Sequence, residues 1–154
     1  MSVQVGKPAP SFSLYDSEKK KVSLEDFKGK NVLLLFFPQA FTGTCTKELC
    51  SMRDNIALYD QVNAQVLGIS VDSLFTLARY KDDQQLNFPL LSDFNKEVIP
   101  KYGVLNPDMI GMKNIAKRAV FVIDRNGVVR HREVLEDARN EPNYNDINKA
   151  LASL

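Results

Sequence analysis

Three segments of this chain are apolar almost without interruption: residues 32–37, 65–71 and 119–123. Runs of this length bounded by turn residues predict central strands covered on both faces. Residues 11–15 alternate apolar and polar, 16–20 are a charged turn and 21–24 return, which predicts an N-terminal β-hairpin. A short helical turn over 24–27 is closed by Gly29. Between the strands the apolar spacing changes to three and four. Leu49, Met52, Ile56 and Tyr59 share one face of a helix predicted from Thr42 to about Val62. Ser73 is a candidate N-cap for a second helix to about Gln84. Residues 88–91 read as extended, 95–102 as a short helix ended by Gly103, and 104–117, with Pro107 and Gly111, as a loop. Asn126-Gly127 marks a hairpin turn into a half-wet strand over 128–134, and 143–154 closes as an amphipathic helix.

This order predicts an α/β fold: a central mixed sheet with parallel middle strands, flanked by helices, in one domain over residues 1–154. In open sheets of this kind the site lies beyond the carboxyl ends of the strands. Residues 38–45 sit there, between an apolar run and a helix start.

Composition narrows the function. With 44% hydrophobic and 25% charged residues the chain has a globular balance. Twenty basic residues against nineteen acidic leave a net charge of +1, so nothing drives phosphate contacts and no nucleic-acid partner is expected. No apolar run approaches the ~20 residues of a membrane helix. The first ten residues lack a basic segment followed by an apolar one, which predicts a cytoplasmic location. There, a pair of cysteines is redox-active or metal-binding more often than a structural disulfide. Two cysteines and one histidine cannot fill a four-ligand zinc site, so neither metal nor cofactor is expected.

Cys45 falls in the first turn of the predicted helix, beside Thr42 and Thr44. The free amides of a helix start stabilise a thiolate. Turning an ordinary cysteine mostly to thiolate at neutral pH takes roughly 3.4 kcal/mol, and a helix terminus supplies ~0.3–2 kcal/mol. A second cation or donor is therefore required. Thr42 can also cap the helix, and that role is compatible with a hydroxyl in the cleft. Cys50 lies five residues on. On an ideal helix the two Cα atoms stand ~8.6 Å apart. A disulfide reaches at most about 7 Å, so the pair joins only if the helix start unwinds. Spacing alone leaves Cys50 open as either the captor of an oxidised Cys45 or a buried bystander.

The string P-Q-A-F-T-G-T-C at residues 38–45 resembles the P-x-x-x-T-x-x-C signature of the peroxiredoxins, the alkyl hydroperoxide reductase/thiol-specific antioxidant family. V-G-K-P-A-P-S-F, F-P-L-L-S-D and R-A-V-F-V-I-D-R-N-G resemble further blocks of that family, in order along the chain. The resemblance implies a thioredoxin-like fold and thiol-dependent reduction of hydrogen peroxide and organic hydroperoxides. It makes Cys45 the peroxidatic cysteine, Thr42 a hydrogen-bond partner of the peroxide, and Pro38 a shield of the thiolate. Arg118 would be the missing cation and Glu48 the carboxylate that orients it, with Thr44 supporting.

Two subgroups are evoked. F-T-G-T-C and F-P-L-L-S-D-F resemble the alkyl hydroperoxide reductase E group, and C-x-x-x-x-C followed by M-R-D resembles the peroxiredoxin Q/bacterioferritin comigratory group, whose second cysteine resolves the first. The implied cycle ends in a Cys45–Cys50 disulfide recycled by thioredoxin or a similar thiol reductant, in a monomer or homodimer. The alternatives are a one-cysteine cycle with an external thiol and a non-enzymatic holdase on the same scaffold. A thioredoxin-type oxidoreductase needs C-x-x-C, and position 48 is glutamate. His131 is expected on the solvated face of its strand, and Met109 and Met112 in packing or at an apolar mouth that, with Phe41, would suit an organic peroxide.

Overall fold

A computed structural model describes residues 3–154. In chain order the elements are β1 (Ser13–Asp16), β2 (Lys21–Ser23), a 3-10 turn (Leu24–Phe27), β3 (Asn31–Phe36), α1 (Gly43–Asp54), α2 (Ile56–Gln61) and β4 (Ala64–Ser70). They continue with α3 (Leu74–Gln84), β5 (Leu90–Ser92), α4 (Val98–Lys101), β6 (Leu105–Met109), β7 (Met112–Ala116), β8 (Arg118–Ile123), β9 (Val129–Leu135) and α5 (Tyr144–Ala152).

Seven strands form one sheet in the order β2-β1-β5-β4-β3-β8-β9. The middle strands β3, β4 and β5 run parallel, and β8 runs antiparallel to β3. The apolar runs are the buried strands: Val32 to Phe36 are at most 1% exposed. Their side chains alternate between two cores. Leu34 and Phe36 join Leu67, Ile69, Tyr102 and Phe121 on one face. Leu33 and Leu35 join Val66, Leu77, Tyr80 and Ile147 on the other, where Cys45, Leu49 and Met52 of α1 also pack. Gly68 on β4 is closely approached: a Cβ there would stand 2.9 Å from Leu90 Cδ2, so the leucine side chain would have to shift. The caps expected for α3 and α5 form: Ser73 accepts from the Thr76 amide and Asn143 from the Asp146 amide.

Two expectations are corrected. The helix predicted across 42–62 is two helices, divided at Asn55. Its side-chain amide donates to the Ser51 carbonyl at 2.8 Å, while its backbone leaves the helical region. A polar side chain that competes for a helix carbonyl ends the ladder although the apolar spacing continues. The segment 104–117 is not a loop but the β6–β7 hairpin, with Met109 opposite Met112. Its two turn residues, Ile110 and Gly111, both have positive φ (50° and 84°). A β-branched residue rarely adopts that conformation, so the turn gave no signal. Pro107 is accommodated because this two-stranded ribbon leaves β6 with a free edge. No helix among the described residues is long and apolar enough to cross a membrane.

Candidate active site

The site lies where β3 ends and α1 begins. Ala40 N donates to Asp72 Oδ2 at 2.8 Å, and Ser70 Oγ donates to the same oxygen at 2.7 Å, which pins the connecting loop to the end of β4. Thr42 occupies the N-cap position of α1, and its carbonyl accepts from Thr46 N. Its hydroxyl does not cap the helix; it donates to the Gln39 carbonyl at 2.8 Å. With its hydrogen committed, that hydroxyl can only accept a bond from a substrate. One turn on, Cys45 is buried (1% exposed) at the base of the helix start.

Sheet register delivers the cation. Phe36 pairs with Ala119 across the antiparallel β3–β8 ladder, so Arg118 stands at the carboxyl end of β3. It shares a face with Val120 and Val122, the face on which α1 packs. Arg118 Nη2 lies 3.3 Å from Cys45 Sγ and 2.9 Å from the Ala138 carbonyl, while Nη1 lies 2.8 Å from Glu48 Oε1. The guanidinium is 1% exposed and Glu48 fully buried. Burial opposes the Arg118 charge, but the Glu48 carboxylate and the Cys45 sulfur outweigh it and hold the guanidinium above its ordinary pKa. Glu48 shows the reverse balance: burial pushes its carboxyl up to about 7 against the pull of Arg118. Its second oxygen, Oε2, has no hydrogen-bond partner among the described residues. One cation thus serves two potential anions, the sulfur in front and the carboxylate behind.

The raised Glu48 value makes stability depend on pH. The folded state holds this proton more tightly than the unfolded chain does, so the contribution is complete below about 4.5 and is lost as pH rises through about 7. The full change is roughly 3 kcal/mol. Glu48→Gln is expected to flatten this slope relative to the unsubstituted protein in urea titrations across that range; parallel curves would show that the carboxyl does not titrate there.

A cleft of about 740 Å³ opens over Cys45. Pro38, Thr42, Gly43 and Thr44 form one wall, and the hairpin residues Met109 and Ile110 another. Residues 136–139 form a third wall, which the sequence did not disclose. This wall is tied to the site: Ala138 accepts from Arg118, and the Arg139 carbonyl accepts from Thr44 Oγ1 at 3.4 Å. Met109 lines the cleft whereas Met112 only packs against the core. Phe41 is corrected: its ring lies on Tyr80, centroids 4.9 Å apart, and is not part of the cleft wall. His131 is also corrected: it is half-buried, with a shielded Nε2 that has no partner among the described residues. Cys50 lies away from the cleft, half-buried, its Sγ donating to Gln84 Oε1 at 3.6 Å. Both cysteines are free, on one continuous helix. Among the described residues no cluster of three or more His, Cys, Asp or Glu is placed to hold a metal.

A cysteine at a helix start, hydrogen-bonded by a buried arginine and opening on a cleft, is the arrangement of a candidate thiol-based redox centre. The family model described as AhpC/TSA family matches residues 5–132, and the chain belongs to that family, the peroxiredoxins, which are thiol-dependent peroxidases. Peroxiredoxin Bcp of Escherichia coli (strain K12) is 36% identical over 147 residues, covering 94% of this chain and 92% of that protein. Peroxiredoxin-2 of Bos taurus is 41% identical over 136 residues; the match takes in 82% of this chain and 66% of the bovine protein. Among solved structures, Peroxidoxin BcpB from Mycobacterium tuberculosis superposes with a TM-score of 0.88 at 28% identity, covering 99% of this chain and 98% of that one. The reduced 2-Cys peroxiredoxin of Plasmodium vivax gives 0.86 at 30% identity, over 96% and 80% of the two chains.

Proposed function

We propose that this single-domain chain reduces hydroperoxides through Cys45, with Cys50 as the resolving thiol and thioredoxin or a similar dithiol as reductant. The observation that carries the reading is the 3.3 Å approach of Arg118 Nη2 to Cys45 Sγ at the base of an open cleft. A neutral hydroperoxide donates its O–H to Thr42 Oγ1, which can accept but not donate. The Cys45 thiolate attacks the protonated oxygen in line with the O–O bond. The S–O bond forms as the O–O bond breaks, and the leaving oxygen departs with the electron pair. Arg118 and the amides of the helix start face the developing charge. Protonation of that oxygen gives water or an alcohol, and Cys45 is left as the sulfenic acid. Pro38, buried on the cleft wall, limits the access of water to the sulfur.

In the second half-reaction the Cys50 sulfur attacks the sulfenic sulfur. An S–S bond forms, the S–O bond breaks, and the oxygen leaves as water with the Cys50 proton. Mass spectrometry after one equivalent of peroxide tests both halves. The unsubstituted protein is expected to carry a 45–50 disulfide, and Cys50→Ser a sulfenic acid on Cys45. Thioredoxin-linked cycling should cease in that variant. Undiminished cycling would replace this reading with the one-cysteine route, in which an external thiol attacks the sulfenic acid. We place the protein in the cytoplasm, where such dithiols are maintained, as a monomer or homodimer.

A further inference from the structure

Helices α1 and α3 lie on the same face of the sheet, and three polar links join them. Thr46 Oγ1 and Tyr80 Oη are 2.9 Å apart. Cys50 Sγ donates to Gln84 Oε1, and Arg53 Nη1 donates to the Gln84 carbonyl at 2.6 Å. Residues 46, 50 and 53 fall on one stripe of α1, so the links run in sequence along the groove between the helices. Two of them hold the back half of α1. The first alone holds the turn that carries Cys45 to α3.

Tyr80 is built to keep that link fixed. Its ring is fully buried, tilted against Phe37 at 6.4 Å and Phe41 at 4.9 Å. Phe41 is held there by a left-handed backbone (φ 67°). Burial pushes the phenol up to about 12, although the Thr46 bond opposes this, so the hydroxyl keeps its proton at any physiological pH. A phenol is not needed to fill this space, since a phenylalanine would pack the same ring. Among the described residues, its oxygen has Thr46 as its one hydrogen-bond partner.

We propose that Tyr80 is a latch: its bond to Thr46 keeps the first turn of α1 wound around Cys45 and sets how fast the sulfenic acid reaches Cys50. The proposal rests on the resolving role given to Cys50. The two cysteines cannot join across an intact helix. The turn bearing Cys45 must unwind first, and the Thr46–Tyr80 bond breaks when it does. While the turn stays wound, the sulfenic acid remains in the cleft, where a second hydroperoxide can transfer an oxygen to it, giving sulfinic acid and an alcohol or water. Tyr80 thereby governs the division between disulfide and over-oxidation.

Tyr80→Phe and Thr46→Val each remove the bond from one side. In both, exchange of the 46–50 amides in the reduced protein and closure of the 45–50 disulfide are expected to accelerate together, by roughly threefold to tenfold. The rate of the first oxidation should not change. The double variant should be no faster than either single one, because the same bond is removed in each. Sulfinic acid formed under excess peroxide should fall. Closure at the wild-type rate in both single variants overturns the latch while leaving Cys50 as the resolving thiol. A wild-type protein that forms no 45–50 disulfide overturns the Cys50 role and the latch together.

Discussion

Cys45→Ser is expected to abolish thiol-dependent peroxide consumption, by more than about 10³-fold. A serine hydroxyl stays protonated at neutral pH and is a poor nucleophile without an activating base. Among the described residues, the side chain hydrogen-bonded to the sulfur is the Arg118 guanidinium, a donor and not a base. The surroundings should survive, because a serine oxygen can accept from Arg118 Nη2 in place of the sulfur. Peroxide consumption with a dithiol donor, measured beside the thermal midpoint, separates lost chemistry from lost structure. Retained turnover in a folded Cys45→Ser protein would remove the nucleophile assignment.

Arg118→Ala should damage both rate and stability. The arginine is among the largest fully buried side chains and makes three contacts at once: Cys45 Sγ, Glu48 Oε1 and the Ala138 carbonyl. Loss of a donor aimed at developing charge costs ~10²–10³-fold in rate. Removing one partner of a buried ion pair costs about 3–5 kcal/mol, because the other charge is left behind. Here the remaining carboxyl can escape by holding its proton, so the stability loss should be smaller at about pH 5.5 than at about pH 8. Arg118→Lys should fall between, since an ammonium keeps the charge but cannot reach three acceptors with a fixed fork. The test is kcat/KM for hydrogen peroxide together with urea midpoints at both pH values. An alanine variant with equal losses of stability at both would show that Glu48 does not respond to its partner.

The parts of this molecule legible in the sequence are those written in contiguous residues. Strands β3, β4 and β8 are apolar on both faces and announce themselves, and Ser73 and Asn143 mark their helices by cap chemistry. The division at Asn55 was hidden because Ile56 and Tyr59 continue the helical spacing past it. The β6–β7 hairpin was hidden because it turns on an isoleucine.

The site divides in the same way. Thr42, Thr44 and Cys45 stand together at a helix start and point to thiol chemistry by themselves, whereas the role of Pro38 came only from the family resemblance. The stabilisation shortfall at the helix start demanded a second cation or donor, but only family resemblance picked out Arg118, 73 residues from Cys45, because the register of β8 on β3 brings it there. The Ala138 carbonyl, a main-chain acceptor, leaves no trace in side-chain pattern. Tyr80 reads as core at its position, and its hydroxyl acquires a role only through Thr46, 34 residues earlier.

In the proposed cycle, the single guanidinium between the sulfur and the buried carboxyl is expected to tie the acid strength of Glu48 to the oxidation level of Cys45. If Cys45 passes from thiolate to neutral sulfenic acid as proposed, Arg118 would lose the charge in front of it while keeping its bonds to Glu48 and the Ala138 carbonyl. The carboxyl then parts with its proton more readily. Oxidation at the front of the site is then expected to appear as proton release at its back, with the proton taken up again on reduction by a thiol.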